Sequence, residues 1–330
     1  MNLDLLAHLR RIDSSTRAEG GFAVEEIDGF ANHYVGRDES GLACVLLSSS
    51  DEGSRAPIRL SGLEVQYAVP CIVRIRGAAE RQQVLTVARC PSRIDEAERY
   101  FMYVMATLVE LIGPSPSIHQ VATGITGLAA IFQRLAGPAK ESLAGLAGEL
   151  VLISVSRHPV QAVLAWRSDV DERYDFAQGT LRIDVKSSLS RRRVHGFSFE
   201  QCAVPQGCRG LVVSLFIEAS AGGLSLEALL RLIRLRLAGH PHAMLRLDAT
   251  IADTLGADLP NALGWAFDYA LARSSMAQFD LGSIPAVRGT LEVGVSQVHF
   301  VSDLSSAQQI SGDFIVLESA EAGTFFPIVG

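Results

Sequence analysis

The sequence predicts an α/β protein, α+β over its full length, in which a mixed sheet flanked by helices lies between a β-rich N-terminal region and an α+β C-terminal region. Three observations predict this. Residues 20–90 alternate apolar and polar side chains, the period of half-buried strands. Residues 138–240 read as α-β-β-β-α-β-α, a sheet with helices on its faces. Residues 243–280 return to helical character, with strand-like runs at 287–301 and 314–317. The expected division is 1–93, a β-rich domain; 94–137, a helical connector; 138–240, the core; and 241–330, the α+β region.

A short helix is expected over Leu3 to Ile12. In the strands that follow, Leu63, Val65, Tyr67 and Val69 share a face, and Cys71, Val73 and Ile75 repeat the pattern against Arg74 and Arg76. This predicts an antiparallel meander with turns near Asp38–Gly41 and Gly77–Arg81. Helices are expected over Ile94–Ile112 and Ser117–Leu135. Pro138 suits a first helical turn, and the helix it opens runs from Lys140 to Ser156, where Pro159 is expected to stop it. Leu143, Leu146, Ala147, Leu150 and Ser154 form its apolar stripe, with Glu149 on the flank. Val160 to Trp166 reads as an apolar strand. A short helix is expected at Ser198, where Gln201 completes a capping box. Gly210 to Ile217 is a near-continuous apolar run, expected as a strand buried on both faces. A helix from Leu226 to Leu237 closes the core.

The chain has 29 Lys and Arg together, yet only Lys140 and Lys186 are lysines. Lysine is a compact charge suited to a tight site beside a metal or a phosphate oxygen, where a planar guanidinium fits badly. Lys186 stands in Leu181-Arg-Ile-Asp-Val-Lys186, so Asp184 and Lys186 share one face of a strand while Ile183 and Val185 face the core. A turn at Gln178-Gly179 folds Tyr174-Asp175-Phe176 back on this strand, setting Asp175 near Arg182 and bringing Asp175 and Asp184 to the same end. Ordinary solvated charges on a surface hairpin would have the same pattern, so an Asp-x-Lys alone is weak. Glu149 on the preceding helix supplies a third acid.

Asp-(8 residues)-Asp-x-Lys after a helical Glu resembles the PD-(D/E)XK nuclease superfamily, of restriction-endonuclease-like fold. Gly145-Leu-Ala-Gly-Glu-Leu150, Trp166, Asp175-Phe176, Ile183-Asp-Val-Lys-Ser-Ser188, Arg193-x-His195 and Gln201 resemble, more narrowly, the bacterial PD-(D/E)XK motif proteins, often associated with restriction or antiviral gene clusters. The resemblance is best over 140–218 and extends loosely to both ends. Tyr174 stands where the name has Pro, and Asp184 where many relatives have Glu.

The resemblance implies a restriction-endonuclease-like core and metal-assisted phosphodiester hydrolysis. Asp175 and Asp184 would be the main ligands of Mg²⁺ (Mn²⁺ substituting), with the Val185 carbonyl as a further ligand and Glu149 completing the site or standing in its outer shell. Lys186 would orient or deprotonate the attacking water and stabilise the transition state. The implied function is DNA cleavage in bacterial restriction or anti-phage defence, with other defence-system proteins as further partners. The alternative is a non-catalytic DNA-binding or assembly subunit that keeps the fold. Recognition sequence, strand preference and oligomeric state stay open, a homodimer included.

Net charge is −7 and pI about 5.6, which argues against a broad DNA-binding surface. Locally the balance reverses: 181–210 holds six bases against two acids. Arg191, Arg192 and Arg193, with His195 and Gln201, are the expected nucleic-acid contacts; a solubilising loop would carry the same Arg run. The five cysteines show no C-x-x-C spacing, and no Walker loop or G-x-G-x-x-G occurs. No apolar run reaches the roughly 18 residues of a membrane span. Free cysteines and a polar N-terminus lead to the expectation of a cytoplasmic protein with no membrane partner.

Overall fold

In a computed structural model, residues 3–12, 21–51, 53, 55–75, 80–167, 172–312 and 320–326 are described. The chain forms two units, one of Met1–Pro138 with Ala238–Ala252 and Gly256–Pro260, the other of Ala139–Leu237 with Asp253–Leu255 and Asn261–Gly330. The helices expected as a connector over 94–137 thus count with the first unit, and 241–330 is shared between the two.

The first unit opens with α1 (Leu5–Arg11), whose N-terminus is capped where the Asp4 carboxylate accepts from the Ala7 N–H at 2.9 Å. The strands β1 (Phe22–Ile27), β2 (Phe30–Arg37), β3 (Ala43–Leu47), β4 (Ile58–Arg59), β5 (Glu64–Ile75) and β6 (Arg81–Arg89) form one sheet in the order β1-β2-β3-β6-β5-β4. β1 also pairs in parallel with β5, Phe22 opposite Val73, so the sheet closes into a small barrel. The parallel β1–β5 pairing closes what the sequence reads as an antiparallel meander. Phe22, Val24, Tyr34, Cys44, Leu46, Cys71, Val73, Leu85 and Val87 pack together as its core. The helices α2 (Asp95–Ile112) and α3 (Ile118–Arg134) follow close to expectation, α3 starting with a reciprocal Ser117–Gln120 capping box. The Gly77–Arg81 turn falls mostly outside the described residues.

The second unit begins with α4 (Leu143–Val155), a helix buried nearly all round rather than along one stripe. The run expected as a strand at 160–166 is helical instead: α5 spans Pro159–Ala165, with Pro at its first position. Pro159 has a preset φ and needs no N–H donor there, so it starts a helix rather than ending the previous element. Then come β7 (Phe176–Gln178), β8 (Leu181–Ser188), β9 (Val194–Ser198), α6 (Phe199–Cys202), β10 (Arg209–Phe216), β11 (Ala219–Ser225) and α7 (Leu226–Arg236). The helix α8 (Pro241–Leu255), most of which counts with the first unit, is followed by a 3-10 turn and by α9 (Leu259–Leu263), which begins in the first unit and ends in the second. The chain continues through β12 (Ala266–Phe267), α10 (Tyr269–Ser274), β13 (Ala277–Asp280), β14 (His299–Asp303) and β15 (Gln309–Ile310).

The five-stranded sheet has the order β15-β13-β10-β8-β7. β8 and β10 run parallel, with Asp184 opposite Val212 and Lys186 opposite Ser214; the other pairs are antiparallel. α4 packs on β8. The fold is thus mixed α/β, with a β-rich N-terminal and an α+β C-terminal region, as expected. Of the strands expected over 287–301, only β14 forms, pairing with β9. The run at 314–317 lies outside the described residues. Among the described residues no helix is long and apolar enough to cross a membrane.

Candidate active site

The β7–β8 hairpin sets the geometry of the site. Gln178 pairs with Leu181, Ala177 with Arg182 and Phe176 with Ile183, so the turn residues are Gly179-Thr180, one position beyond the expected turn. Gly179 has φ of 52°, a left-handed conformation that glycine adopts without a Cβ penalty. This register places Ala177, not Asp175, opposite Arg182. Asp175, just past the last pair, bonds back to β8: its Oδ2 accepts the Val185 N–H at 2.6 Å. The acceptor sits at the peptide between Asp184 and Lys186.

Asp184 is 2 % exposed. Its Oδ1 accepts from Gln201 Nε2 at 3.2 Å, and its Oδ2 lies 3.0 Å from Lys186 Nζ. Oδ2 is buried, and the Lys186 ammonium is its close partner. Gln201 reaches Asp184 because the expected capping box forms: the Gln201 N–H donates to Ser198 Oγ and the Ser198 N–H to Gln201 Oε1, which turns Nε2 toward the carboxylate. Tyr174, in the place of the motif's Pro, donates its hydroxyl to the Gln201 carbonyl at 3.0 Å and steadies the same helix. Lys186 Nζ also lies 5.0 Å from the centre of the Phe197 ring, a cation–π contact. The other lysine, Lys140, forms a more exposed ion pair with Asp253 at 2.8 Å.

Burial raises the Asp184 pKa to about 7; Lys186 pulls it down and Asp175 pushes it up. Asp175 is raised by burial against the pull of Arg167. Burial lowers Lys186, but Asp184 and Asp175 outweigh it and leave its pKa raised, so the amine stays protonated.

Glu149 projects from α4 and is buried. Gly148 lets this helix come close to the motif strand, since a Cβ there would meet Ser187 Oγ at 2.1 Å. Both Glu149 oxygens are engaged. Trp166 Nε1 donates to Oε2 at 2.5 Å, Arg167 Nε to Oε2 at 3.2 Å, and Arg167 Nη2 to Oε1 at 3.1 Å. Burial and Asp175 push Glu149 well above the usual carboxylate range, against Arg167 and the Trp166 N–H. Arg167 Nη2 also donates to Glu141 Oε2 at 2.6 Å, and Nε lies 3.7 Å from Asp175 Oδ1. The guanidinium, 1 % exposed, therefore faces three carboxylates. Sequence reasoning missed Glu141 and Arg167. The available signal was an Arg directly after a Trp at the end of an apolar run, a costly place for an unpaired charge.

Among the described residues no three His, Cys, Asp or Glu side chains form a group able to hold a metal ion. Arg167 engages both oxygens of Glu149. Two carboxylate oxygens of the site take no hydrogen bond from Arg167 or Trp166 and have the character a hard cation needs. They are the buried Oδ2 of Asp184, whose close partner is the Lys186 ammonium at 3.0 Å, and the Oδ1 of Asp175, 3.7 Å from Arg167 Nε.

The expected nucleic-acid contacts lie apart in character. Arg192 is exposed. Arg191 is exposed and paired with Glu218, Nη2 to Oε2 at 2.7 Å. Arg193 turns inward, donating from Nη1 to the Ser214 carbonyl and Oγ at 2.8 Å each and from Nη2 to the Ser275 carbonyl. Its guanidinium also covers the Phe216 ring at 4.7 Å. His195 is buried with Nε2 at 2.8 Å from Ser214 Oγ, and burial lowers its pKa to about 4. Gln201 is engaged with Asp184, as above.

Compared with known families, residues 14–305 match the family described as "Putative PD-(D/E)XK family member, (DUF4420)". No curated protein and no solved structure matches the chain.

Proposed function

We propose that this chain, which belongs to that PD-(D/E)XK family, is a metal-dependent endonuclease that hydrolyses DNA phosphodiester bonds. One observation carries the reading: Asp175, Asp184 and Lys186 meet at one point of the sheet, through the Val185 N–H bond at 2.6 Å and the Asp184–Lys186 ion pair at 3.0 Å. The nuclease core is proposed within 138–240. Family resemblance alone supports the setting in bacterial restriction or anti-phage defence. Five free cysteines fit the cytoplasmic setting proposed with it.

Asp175 and Asp184 would hold the ion, Mg²⁺ or Mn²⁺, through Asp175 Oδ1 and through Asp184 Oδ2, which it would share with the Lys186 ammonium. A divalent ion bound there would acidify a water and neutralise charge on the scissile phosphate. Lys186, protonated and fixed by Asp184 and the Phe197 ring, presents Nζ–H donors to a water or a phosphate oxygen. Gln201 holds Asp184 in its rotamer. Arg192, exposed on the loop after β8, is the proposed phosphate contact; Arg193 and His195 shape that loop from within.

The test is nicking of supercoiled plasmid by the pure full-length chain with Mg²⁺ or Mn²⁺, with Asp184→Asn as control. Metal-dependent nicking lost in the variant supports the reading. Equal nicking by both proteins refutes the site. Metal-independent DNA binding without any nicking favours the non-catalytic subunit.

A further inference from the structure

We infer that the site takes a single divalent ion, because Arg167 occupies, as a built-in cation, the position on Glu141, Glu149 and Asp175 that a second ion would need. This rests on the metal-dependent reading above and goes on to assign the number of ions and a role for Arg167.

Glu149 is already held by buried donors. A carboxylate at this place in the motif is expected to complete the metal site or support it, yet its two oxygens already take donors from Trp166 Nε1, Arg167 Nε and Arg167 Nη2 at 2.5–3.2 Å. Recruiting Glu149 to a metal would break a buried ion pair and leave the guanidinium short of its partner, which is strongly unfavourable. Nη2 also holds Glu141 at 2.6 Å, and Nε faces Asp175 at 3.7 Å. One planar donor thus draws in three acids that would otherwise repel, the arrangement for which Arg is suited and Lys is not.

Charge agrees with geometry. Glu141, Glu149, Asp175 and Asp184 face two cations, Arg167 and Lys186. With all six ionised, two negative charges remain, which one divalent ion cancels. A second divalent ion would leave an equal positive excess in a buried site, with no carboxylate oxygen of Glu149 free to hold it. Arg167 pairs with Glu141, Glu149 and Asp175, and Lys186 with Asp184, and the single ion is assigned to Asp175 and Asp184.

The experiment counts Mn²⁺ ions per chain by electron paramagnetic resonance titration of the full-length protein. One ion is expected in the wild type and one in Glu149→Gln, which keeps the shape of the side chain and an acceptor for the Trp166 and Arg167 N–H groups. In Arg167→Met, which frees Glu149 and Glu141, a second ion is expected, and it disappears again in Arg167→Met/Glu149→Gln. If Arg167→Met does not fold, the wild type and Glu149→Gln decide alone. Two ions in the wild type, or loss of the one ion in Glu149→Gln, overturns the inference but leaves metal dependence intact. A folded Arg167→Met that still binds one ion also overturns it. No ion in the wild type overturns both this inference and the metal-dependent reading.

Discussion

The Oδ2 of Asp175 accepts the backbone N–H of Val185 at 2.6 Å. This bond ties the acid that ends one strand's approach to the peptide between the acid and the amine of the next. It also leaves a single oxygen of Asp175 for other partners. Replacing Asp175 by Ala removes a half-buried acceptor and leaves the Val185 N–H without it, so a destabilisation of about 1–2 kcal/mol is expected with loss of cleavage. Asp175→Asn, which keeps an acceptor for Val185, is expected to recover most of the stability and none of the cleavage. Urea denaturation beside plasmid nicking separates the two effects.

Lys186 is held in place by Asp184 and the Phe197 ring. Lys186→Ala and Asp184→Ala are each expected to lower cleavage by about two to four powers of ten. Lys186→Arg is expected not to restore it, because the guanidinium is broader than the ammonium beside Asp184. Single-turnover nicking rates check this.

Arg192 and Arg193 are neighbours with opposite surroundings, the first exposed and the second bonded to Ser214 and Ser275. Arg192→Ala is expected to weaken DNA binding without changing stability, and to lower the salt dependence by about one ion. Arg193→Ala is expected to lower stability first. Binding at several salt concentrations, together with melting curves, distinguishes them.

His195 is held near pKa 4 by burial, helped by Lys186 and Arg193. An unfolded His titrates at about 6.5. As pH falls, the unfolded chain therefore binds this proton first, so the contribution to stability is complete above about pH 6.5 and is lost progressively down to about pH 4. Its full size is on the order of 3 kcal/mol. His195→Asn is expected to flatten the acid side of the stability curve between these limits, as measured by urea denaturation at stepped pH.

The parts of the site that were legible in the sequence are those built from local signals. The β7–β8 hairpin follows from a Gly in the turn and from alternation, although the turn lies one residue later than expected. The Ser198–Gln201 capping box is a three-residue spacing. Arg167 reaches Glu141 and Glu149 across two helices and a loop, and no periodicity records such a pairing. The run after Pro159 is apolar and β-branched, equally suited to a buried strand, and only the proline's position at the helix start separates the two. Barrel closure was hidden because β1 and β5 pair in parallel across most of the N-terminal region, without a local sequence mark. Beyond Val287 the alternation suggested strands, but Gly289, Gly294 and Gln297 take positive φ values and interrupt them.

The central claim is that Asp175 and Asp184 hold a divalent ion beside Lys186, and thermal melting of the wild type and Asp184→Asn with and without Mn²⁺ tests it most directly. At an ion concentration about a hundred times the dissociation constant, binding adds about 2.7 kcal/mol to the native state. The melting transition of the wild type is predicted to rise by several degrees with Mn²⁺, and that of Asp184→Asn to stay where it is. An equal rise in both proteins, or no rise in the wild type, would contradict the account.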